Sequence, residues 1–218
     1  MRYYQWNDSE KKIPIGKIIC LARTYREHAE EMQAEVPANP VIFLKPSSAI
    51  IFSGESIHYP KQSYCLHHEI ELGVVIGKPG KDIAIADADN HVEGYCVGLD
   101  ITARDLQTNA KQQGLPWTIA KGFDTFAPIS EVIDKKHIPH TQKLTLQLTV
   151  NGEQRQMDST DQLIWTIPDL ISFISSIMTL ERGDLILTGT PKGVSEIKKG
   201  DLIKATMNDL CTLQVDVH

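Results

Sequence analysis

The chain has 218 residues, of which 41% are hydrophobic and 23% are charged, values typical of a soluble globular protein with one substantial core. Its formal net charge is −6 and its basic residues are scattered, which argues against sequence-independent binding of nucleic acid. No apolar run approaches the roughly 18 residues expected of a membrane span, and the start, MRYYQWNDSE, lacks the apolar core of a secretory signal.

The first half of the chain alternates short apolar runs with polar segments. KIICLA (17–22) and VIFLK (41–45) are typical of strands. TYREHAEEM between them is polar and rich in helix formers, and predicts a short helix or an ordered loop. The run 67–76 and the segment GYCVGLDIT (94–102) predict two buried strands. ARDLQTNAKQQG then predicts a helix that Gly114 closes.

The second half adds more strands than helices. LTLQLTV and EQRQM flank an Asn-Gly pair, which predicts a hairpin, and IPDLISFISSIM (167–178) predicts a core helix with Pro168 in its first turn. GDLILTG (183–189) and GDLIKAT (200–206) each predict a turn followed by a strand. Because strands outnumber helices and several are linked by hairpins, the sequence predicts a mostly β, α+β fold.

Two glutamates in the segment HHEIELGVVIGK stand among strong β-formers. Side chains alternate between the faces of a strand, so Glu69 and Glu71 should project together, about 6–7 Å apart, while Ile70 and Leu72 point the other way. Two like charges at this distance need a cation between them if they are buried. The alternative is a sheet with one solvated face, the commonest reason for alternating charge.

A third acid, Asp100, ends the apolar run GYCVGL. Three carboxylates without clustered Cys or His form an all-oxygen set, which favours Mg²⁺ or Mn²⁺, with Ca²⁺ as an alternative occupant and Zn²⁺ disfavoured. Asp105 is a rival acid, but its place in the following helix predicts a solvent-facing side chain. Three protein oxygens leave coordination positions for water or substrate, which suits Lewis-acid catalysis.

Six segments in order give the chain a specific resemblance: RTYREHAEEM, FLKPSSAI, HHEIELGVVIGK, GLDITARDLQ, GLPWTIAKGFD and LILTGTPKGV. From about residue 17 onward the chain resembles the fumarylacetoacetate hydrolase family, in particular its short acylpyruvase and oxaloacetate decarboxylase/tautomerase branch. The resemblance implies a mixed β-roll of the C-terminal-domain type, a homodimer, and Mg²⁺ or Mn²⁺ held by Glu69, Glu71 and Asp100. We accordingly expect an N-terminal extension, 1–16, and a single catalytic domain, 17–218.

The resemblance also implies further site residues. It assigns catalytic roles to a His-Glu dyad on a mobile lid segment, His28 and Glu31, and to Lys121. Substrate-contacting positions match Arg23, Lys45, Arg104, Gln107 and Thr190. One departure is visible, because the family's usual GRNY reads ARTY here, with Ala22 and Thr24 in place of Gly and Asn. The Arg and Tyr of that motif remain.

The roles of several of these residues can also be argued from their side-chain chemistry, without the resemblance. His28 and Glu31 are three apart, so on a helix they share a face, and a carboxylate beside imidazole makes the base that activates water. An exposed surface histidine is the alternative, and Glu27 and Glu30 leave the choice of partner open. Lys121, among small and apolar residues, could stabilise an enolate or carry a proton; a lysine whose ammonium reaches solvent is its alternative.

The expected function is metal-dependent chemistry on a small 2-keto acid through a metal-stabilised enolate. Hydrolysis of an acylpyruvate, decarboxylation of oxaloacetate and its tautomerisation all follow from that intermediate. The alternatives are an isomerase/decarboxylase or fumarylpyruvate-type hydrolase of aromatic catabolism, and, outside enzymes, a calcium-binding β module. Four cysteines without a CxxC pair, together with the missing signal, predict reduced thiols and a cytoplasmic location.

Overall fold

The computed structural model describes residues 2–31, 35–138 and 141–218. Within these ranges strands dominate, which confirms the α+β, mostly β class. The strands are β1 (Ile18–Ala22), β2 (Val41–Lys45), β3 (Ile50–Phe52), β4 (Ser56–Ile57), β5 (Leu66–His68), β6 (Ile70–Ile76), β7 (Val92–Leu99), β8 (Thr102–Ala103), β9 (Ala127–Ile129), β10 (Ile133–Asp134), β11 (Thr145–Val150), β12 (Glu153–Ser159), β13 (Leu185–Leu187), β14 (Ser195–Ile197), β15 (Leu202–Met207) and β16 (Cys211–Val217). The α-helices are α1 (Arg26–Glu31), α2 (Arg104–Gln113), α3 (Thr118–Lys121) and α4 (Ile167–Ile177).

The strands form three sheets. The largest, with eight strands, has the order β2-β1-β13-β6-β7-β9-β3, with β10 added beside β7. It is mixed, because β1 pairs with β13 and β3 with β9 in parallel, whereas β6 and β7 are antiparallel. A five-stranded sheet has the order β12-β11-β15-β16-β4, and a three-stranded sheet has the order β14-β5-β8.

Short sequence motifs predict a helix end, a hairpin turn and a helix start, and the structure contains all three. Helix α2 ends at Gly114, whose φ of 66° is the left-handed conformation that suits glycine. The turn between β11 and β12 has Asn151 at φ 53° and Gly152 at φ 82°, as an Asn-Gly hairpin requires. Helix α4 begins with Thr166 as its N-cap and Pro168 in its first turn. These three elements confirm their predictions.

The predicted strand 67–76 differs from the structure in one respect. The strand is interrupted at Glu69, so that β5 and β6 belong to different sheets. Strand β5 pairs with β14 and β8, whereas β6 pairs with β7 and β13. Side-chain alternation cannot reveal such a change of partner, because it reports only which face a residue occupies.

The N-terminal segment 2–16 packs on the large sheet. Tyr4, Trp6, Ile13 and Ile15 are buried in one cluster with residues of that sheet, and the Tyr4 hydroxyl donates to the Gly183 carbonyl at 2.9 Å. The division into an extension and a catalytic domain stays a prediction. In the part of the chain that the structure describes, helices are too short or too polar to cross a membrane.

An ion-pair cluster fastens the N-terminal segment to the sheet. Lys11 Nζ lies 2.7 Å from both Glu93 Oε1 and Asp134 Oδ2. The hydrogen bond from Lys11, with a second from the Lys136 amide, lowers the pKa of Asp134. A lowered pKa in the folded state means that this stabilisation exists above the ordinary Asp pKa of about 3.9 and is lost as pH falls through the folded-state value.

We therefore expect Asp134→Asn to lower the free energy of unfolding by about 1 kcal/mol at pH 7, a modest value because Lys11 is partly exposed to solvent. The difference from wild type should shrink as the pH is lowered below about 4. Urea unfolding at several pH values measures both effects. Asp209→Asn, at an exposed site, is the control. An equal loss at every pH would contradict the ion-pair explanation.

Candidate metal centre

Three buried carboxylates converge where β6 and β7 lie side by side. Glu69 and Glu71 flank the start of β6, and Asp100 directly follows β7. The Asp100 amide donates to the Glu69 carbonyl at 2.9 Å, which brings the two chain segments together. One oxygen from each of the three side chains lies within 4.8 Å of the others, and all three residues are at most 5% exposed. The solvated-face alternative therefore does not apply to these glutamates.

Three cations surround the carboxylates. Lys121 Nζ lies 2.9 Å from Glu69 Oε2 and also contacts Asp100 Oδ2. The Arg104 guanidinium contacts Glu69 Oε1, and Lys45 Nζ lies 2.8 Å from Asp100 Oδ1. Three carboxylates and three cations leave this group of side chains close to neutral when all are ionised.

The two glutamates have opposite electrostatic environments. Burial by itself would raise the pKa of Glu69, but Lys121 and Arg104 hold that pKa well below its ordinary value. Burial, followed by the neighbouring carboxylates of Asp100 and Glu69, raises the pKa of Glu71 well above its ordinary value. Glu71 receives one compensating hydrogen bond, from the Gly189 amide at 2.7 Å.

The donor set fits a hard divalent cation. All three groups offer carboxylate oxygens, the ligands that Mg²⁺ and Mn²⁺ prefer. Asp100 Oδ1 is fully buried and has no well-angled hydrogen bond within the described chain, even though Lys45 lies close. Its close partner is the Lys45 ammonium, and a carboxylate oxygen has lone pairs for a second cation as well. Glu69, Glu71 and Asp100 are therefore the residues that could hold a divalent metal.

One cavity brings together most of the predicted site. Besides the three carboxylates, its lining includes the predicted residues Arg23, His28, Arg104, Gln107, Lys121 and Thr190. Arg104 and Gln107 lie one turn apart on α2, and Arg104 Nη1 donates to Gln107 Oε1 at 2.6 Å. The lining also contains Lys111 and Trp117, which sequence reasoning missed. Lys111 follows Gln107 by four residues on α2, so helical spacing was the signal that could have found it.

Two predicted residues do not line this cavity. Lys45 is 2% exposed, and its ammonium donates to the carbonyls of Ile101 at 2.9 Å and Lys121 at 2.6 Å while it pairs with Asp100. It lies behind the carboxylates instead of facing the cavity, so the structure places it in a supporting position for Asp100 and Lys121. Glu31 is not part of the lining but contacts His28, which is.

Helix α1 holds the predicted dyad. His28 Nδ1 lies 3.1 Å from Glu31 Oε2, and the His28 side chain is 10% exposed. Glu31 also accepts a hydrogen bond from the Gly193 amide at 3.0 Å. The carboxylate of Glu31 thus orients the imidazole and links α1 to the turn 188–193, and His28 remains available to the cavity.

The ARTY departure has a structural explanation. Arg23 adopts a left-handed backbone, with φ 60°, which is uncommon for a residue with a side chain. Next to it, Thr24 is fully buried and its hydroxyl donates to the Thr188 carbonyl at 2.7 Å. A Cβ at Gly189, whose φ is 93°, would lie 1.9 Å from Thr24 Oγ1, so these two residues fit only as a pair. Thr24 therefore joins Arg23 to the segment that carries Thr190.

Comparison with known proteins identifies relatives that match nearly the whole chain. The family described as Fumarylacetoacetate (FAA) hydrolase C-terminal matches residues 17–218. A mitochondrial oxaloacetate tautomerase of Arabidopsis thaliana is 49% identical over 202 residues, covering 93% of this chain and 91% of the relative. A mitochondrial oxaloacetate decarboxylase of Dictyostelium discoideum is 47% identical over 203 residues, covering 92% of this chain and 93% of the relative.

Among solved structures, the fumarylpyruvate hydrolase of Pseudomonas aeruginosa in complex with Mn²⁺ and pyruvate superposes with a TM-score of 0.94 at 38% identity. The match covers 98% of this chain and 94% of that one, which confirms the predicted β-roll architecture. Both the sequence relatives and the superposed structure span nearly the whole chain. The chain belongs to the fumarylacetoacetate hydrolase family.

Proposed function

We propose that this protein is a divalent-metal-dependent enzyme that converts small 2-keto acids, with oxaloacetate tautomerisation as its first candidate reaction. The observation that carries the proposal is the buried cluster of Glu69, Glu71 and Asp100 at the base of a cavity that also exposes cationic side chains. Relatives at 47–49% identity are an oxaloacetate tautomerase and an oxaloacetate decarboxylase, which supports this class of substrate.

The charge of the cavity supports an anionic substrate. The negative charges of the carboxylates are already balanced by Lys45, Lys121 and Arg104. A bound cation, together with Arg23 and Lys111 in the lining, would therefore make the site positive. A dicarboxylate such as oxaloacetate would offset part of that charge. A bound Mg²⁺ or Mn²⁺ would supply a Lewis acid that polarises the 2-keto oxygen.

The residues of the chain would divide the remaining work. Arg104 and Arg23 would bind the carboxylates of the substrate, and Gln107 would orient its keto oxygen. Lys121, whose ammonium lies among the acidic side chains, would carry the proton that moves to or from C3 of the substrate. Tautomerisation consumes no water: the enol oxygen gives up its proton as C3 gains one, and α1 could keep water out by closing over the cavity.

The His28–Glu31 pair favours a second candidate, hydrolysis of acylpyruvates. His28 would take a proton from water as that water attacks the 4-keto carbon. The C3–C4 bond would then break, which releases a carboxylic acid and the enolate of pyruvate, and C3 of the enolate takes up a proton. The superposed fumarylpyruvate hydrolase supports this alternative, including the fumarylpyruvate type that belongs to aromatic catabolism. A calcium-binding module without catalysis would give no role to this pair or to Lys121.

The deciding experiment starts from protein stripped of metal by a chelator. Oxaloacetate and acetylpyruvate are supplied with and without Mg²⁺, and enol absorbance, pyruvate and acetate are followed separately. We expect enol loss from oxaloacetate without pyruvate, dependent on added Mg²⁺. Because Mg²⁺ itself acts on oxaloacetate, a protein-free reaction at the same concentration is the baseline. Pyruvate formation would indicate decarboxylation, acetate release would indicate hydrolysis, and rates no higher than the baseline would refute the proposal.

Replacing His28 separates the two candidate reactions. We expect His28→Ala to reduce acetate release from acetylpyruvate by about 10²–10⁴-fold, because the general base is lost. Mn²⁺ affinity, measured by calorimetry, should stay within twofold of wild type, since the three carboxylates are unchanged. Enol loss from oxaloacetate should fall much less if Lys121 carries that proton. Equal hydrolysis rates in the variant and wild type would remove His28 from the mechanism.

Assembly, location and the preferred metal complete the proposal. We propose a homodimer, as the family resemblance implies; the exposed apolar side chains of Leu44, Leu115 and Ile119 near edge strand β2 support it, and light scattering tests it. All four cysteines are free, which supports a reducing, cytoplasmic location. Between the candidate metals, calorimetric titration with Mg²⁺, Mn²⁺ and Ca²⁺ measures the preference.

A further inference from the structure

One buried amide connects the strand of the carboxylates to the turn of Thr190. Gln156 lies on β12, is 1% exposed, and reaches both segments. Its Oε1 lies 3.0 Å from the Ile70 amide, in the peptide between the two glutamates. Its Nε2 lies 2.8 Å from Thr190 Oγ1 and 2.8 Å from the Pro191 carbonyl. Nothing in the local sequence distinguishes this glutamine, which is the fourth consecutive polar residue of a hairpin strand.

The partners of Gln156 fix which way round its amide lies. The Ile70 amide can only donate, so the atom facing it must be the carbonyl oxygen. The Pro191 carbonyl can only accept, so the atom facing it must be the NH₂ group. His68 Nδ1, 2.9 Å from the same Oε1, must then also donate. A flipped amide would break the bonds to the Ile70 amide and the Pro191 carbonyl.

This orientation determines the direction of the Thr190 hydroxyl. Because Gln156 Nε2 donates to Thr190 Oγ1, the hydroxyl proton of Thr190 is left for another acceptor. In the described part of the chain that hydroxyl has no hydrogen-bond partner besides Gln156, and Thr190 lines the cavity. The amide of its neighbour Gly189 donates to Glu71, and Thr190 and Glu71 line the same cavity.

We infer that Gln156 is a positioning residue that keeps the Thr190 hydroxyl a hydrogen-bond donor toward a carboxylate oxygen of the bound 2-keto acid. The inference rests on the proposed function, because it assigns one contact in the recognition of that substrate. A hydroxyl that must donate selects an anionic acceptor over a group that itself donates, such as an amide NH₂. Gln156 would thereby act on the choice of substrate without touching it.

A double-mutant cycle tests the inference by binding. Wild type, Gln156→Leu, Thr190→Val and the double variant are loaded with Mn²⁺, and the Kd for pyruvate is measured by calorimetry. Each single change should weaken pyruvate binding about tenfold to a hundredfold, because a hydrogen bond to a charged group is lost. In the Thr190→Val background, Gln156→Leu should change the Kd less than twofold. Thr190→Ser, which keeps the hydroxyl, should bind pyruvate as wild type does.

The cycle separates positioning from a general structural role. Mn²⁺ affinity should stay within twofold in all variants, since the carboxylate ligands are retained. If the losses for pyruvate multiply in the double variant, Gln156 does not act through the Thr190 hydroxyl and the inference is overturned. Wild type that fails to bind pyruvate with Mn²⁺ would overturn the proposed function as well, so the two failures are distinguishable.

A second variant covers the case in which Gln156→Leu does not fold. Gln156→Glu keeps an oxygen for the Ile70 amide, but its other oxygen accepts from Thr190 and reverses that hydroxyl. We expect this variant to lose at least tenfold in pyruvate affinity, with a smaller loss for pyruvamide, whose NH₂ can donate to the reversed hydroxyl. Unchanged pyruvate affinity, or equal losses for pyruvate and pyruvamide, would overturn the inference.

Discussion

Glu71→Gln should abolish metal-dependent turnover while leaving the metal-free protein at least as stable as wild type. Glu71 is 1% exposed and lies beside two other carboxylates, so its charge is unfavourable when no metal is bound. Glutamine has the same shape, is neutral, and can still accept the hydrogen bond from the Gly189 amide. Removing this charge relieves repulsion in the metal-free state and deletes one oxygen ligand from the metal-bound state.

The expected loss of Mn²⁺ affinity is about 100-fold or more, since even residues that only support metal ligands contribute tenfold to 100-fold. Calorimetry measures the affinity, and enol loss from oxaloacetate should fall to the protein-free baseline. Asp105→Asn is the matched control, because Asp105 binds Ser63 Oγ and the Tyr64 amide instead of joining the cluster. Mn²⁺ affinity that survives in Glu71→Gln, or that is lost equally in Asp105→Asn, would contradict the assignment of the metal ligands.

Lys45→Met should cause the largest loss of stability. The Lys45 ammonium is buried against Asp100 and the carbonyls of Ile101 and Lys121. Methionine fills a similar volume but leaves these acceptors without their donor. Removing one partner of a buried ion pair costs about 3–5 kcal/mol, which corresponds to a fall in Tm of about 6–20 °C for a chain of this size.

A metal should partly reverse that loss. Mn²⁺ would place positive charge beside Asp100 again, so its addition should raise the Tm of Lys45→Met more than that of wild type. Thermal unfolding with and without Mn²⁺ measures both shifts. Lys111→Met is the control, because Lys111 lines the same cavity but forms no ion pair among the described residues, and we expect a change below about 1 kcal/mol. Equal losses in the two lysine variants would show that the burial of Lys45 is not responsible.

Local chemistry explains which parts of the fold could be predicted. The end of α2 at Gly114 and the Asn151-Gly152 turn depend on backbone conformations that these residues themselves favour. A few neighbouring residues are therefore enough to predict them. The break at Glu69 depends on which strands lie beside β5 and β6, and those strands come from distant parts of the sequence. Propensity and alternation contain no information on such partners.

The same distinction holds for the site. The three candidate metal ligands stood out because acids at 69, 71 and 100 interrupt or end apolar runs. The supporting position of Lys45 depends on a contact with Asp100, 55 residues away along the chain. The role inferred for Gln156 depends on a contact with Thr190, 34 residues away. A buried lysine and a glutamine in a hairpin have no local pattern that distinguishes them from ordinary surface residues.

The bond between Thr24 and Thr188 has a consequence for how the enzyme could open. It joins the two segments that present Arg23 and Thr190, one from each end of the chain, and neither segment depends on α1 for this contact. Release of α1 from the Gly193 amide would therefore widen the entrance while Arg23 and Thr190 kept their spacing. Substrate capture and water exclusion would then be separate events, and a chain cleaved within α1 should still retain its ligand.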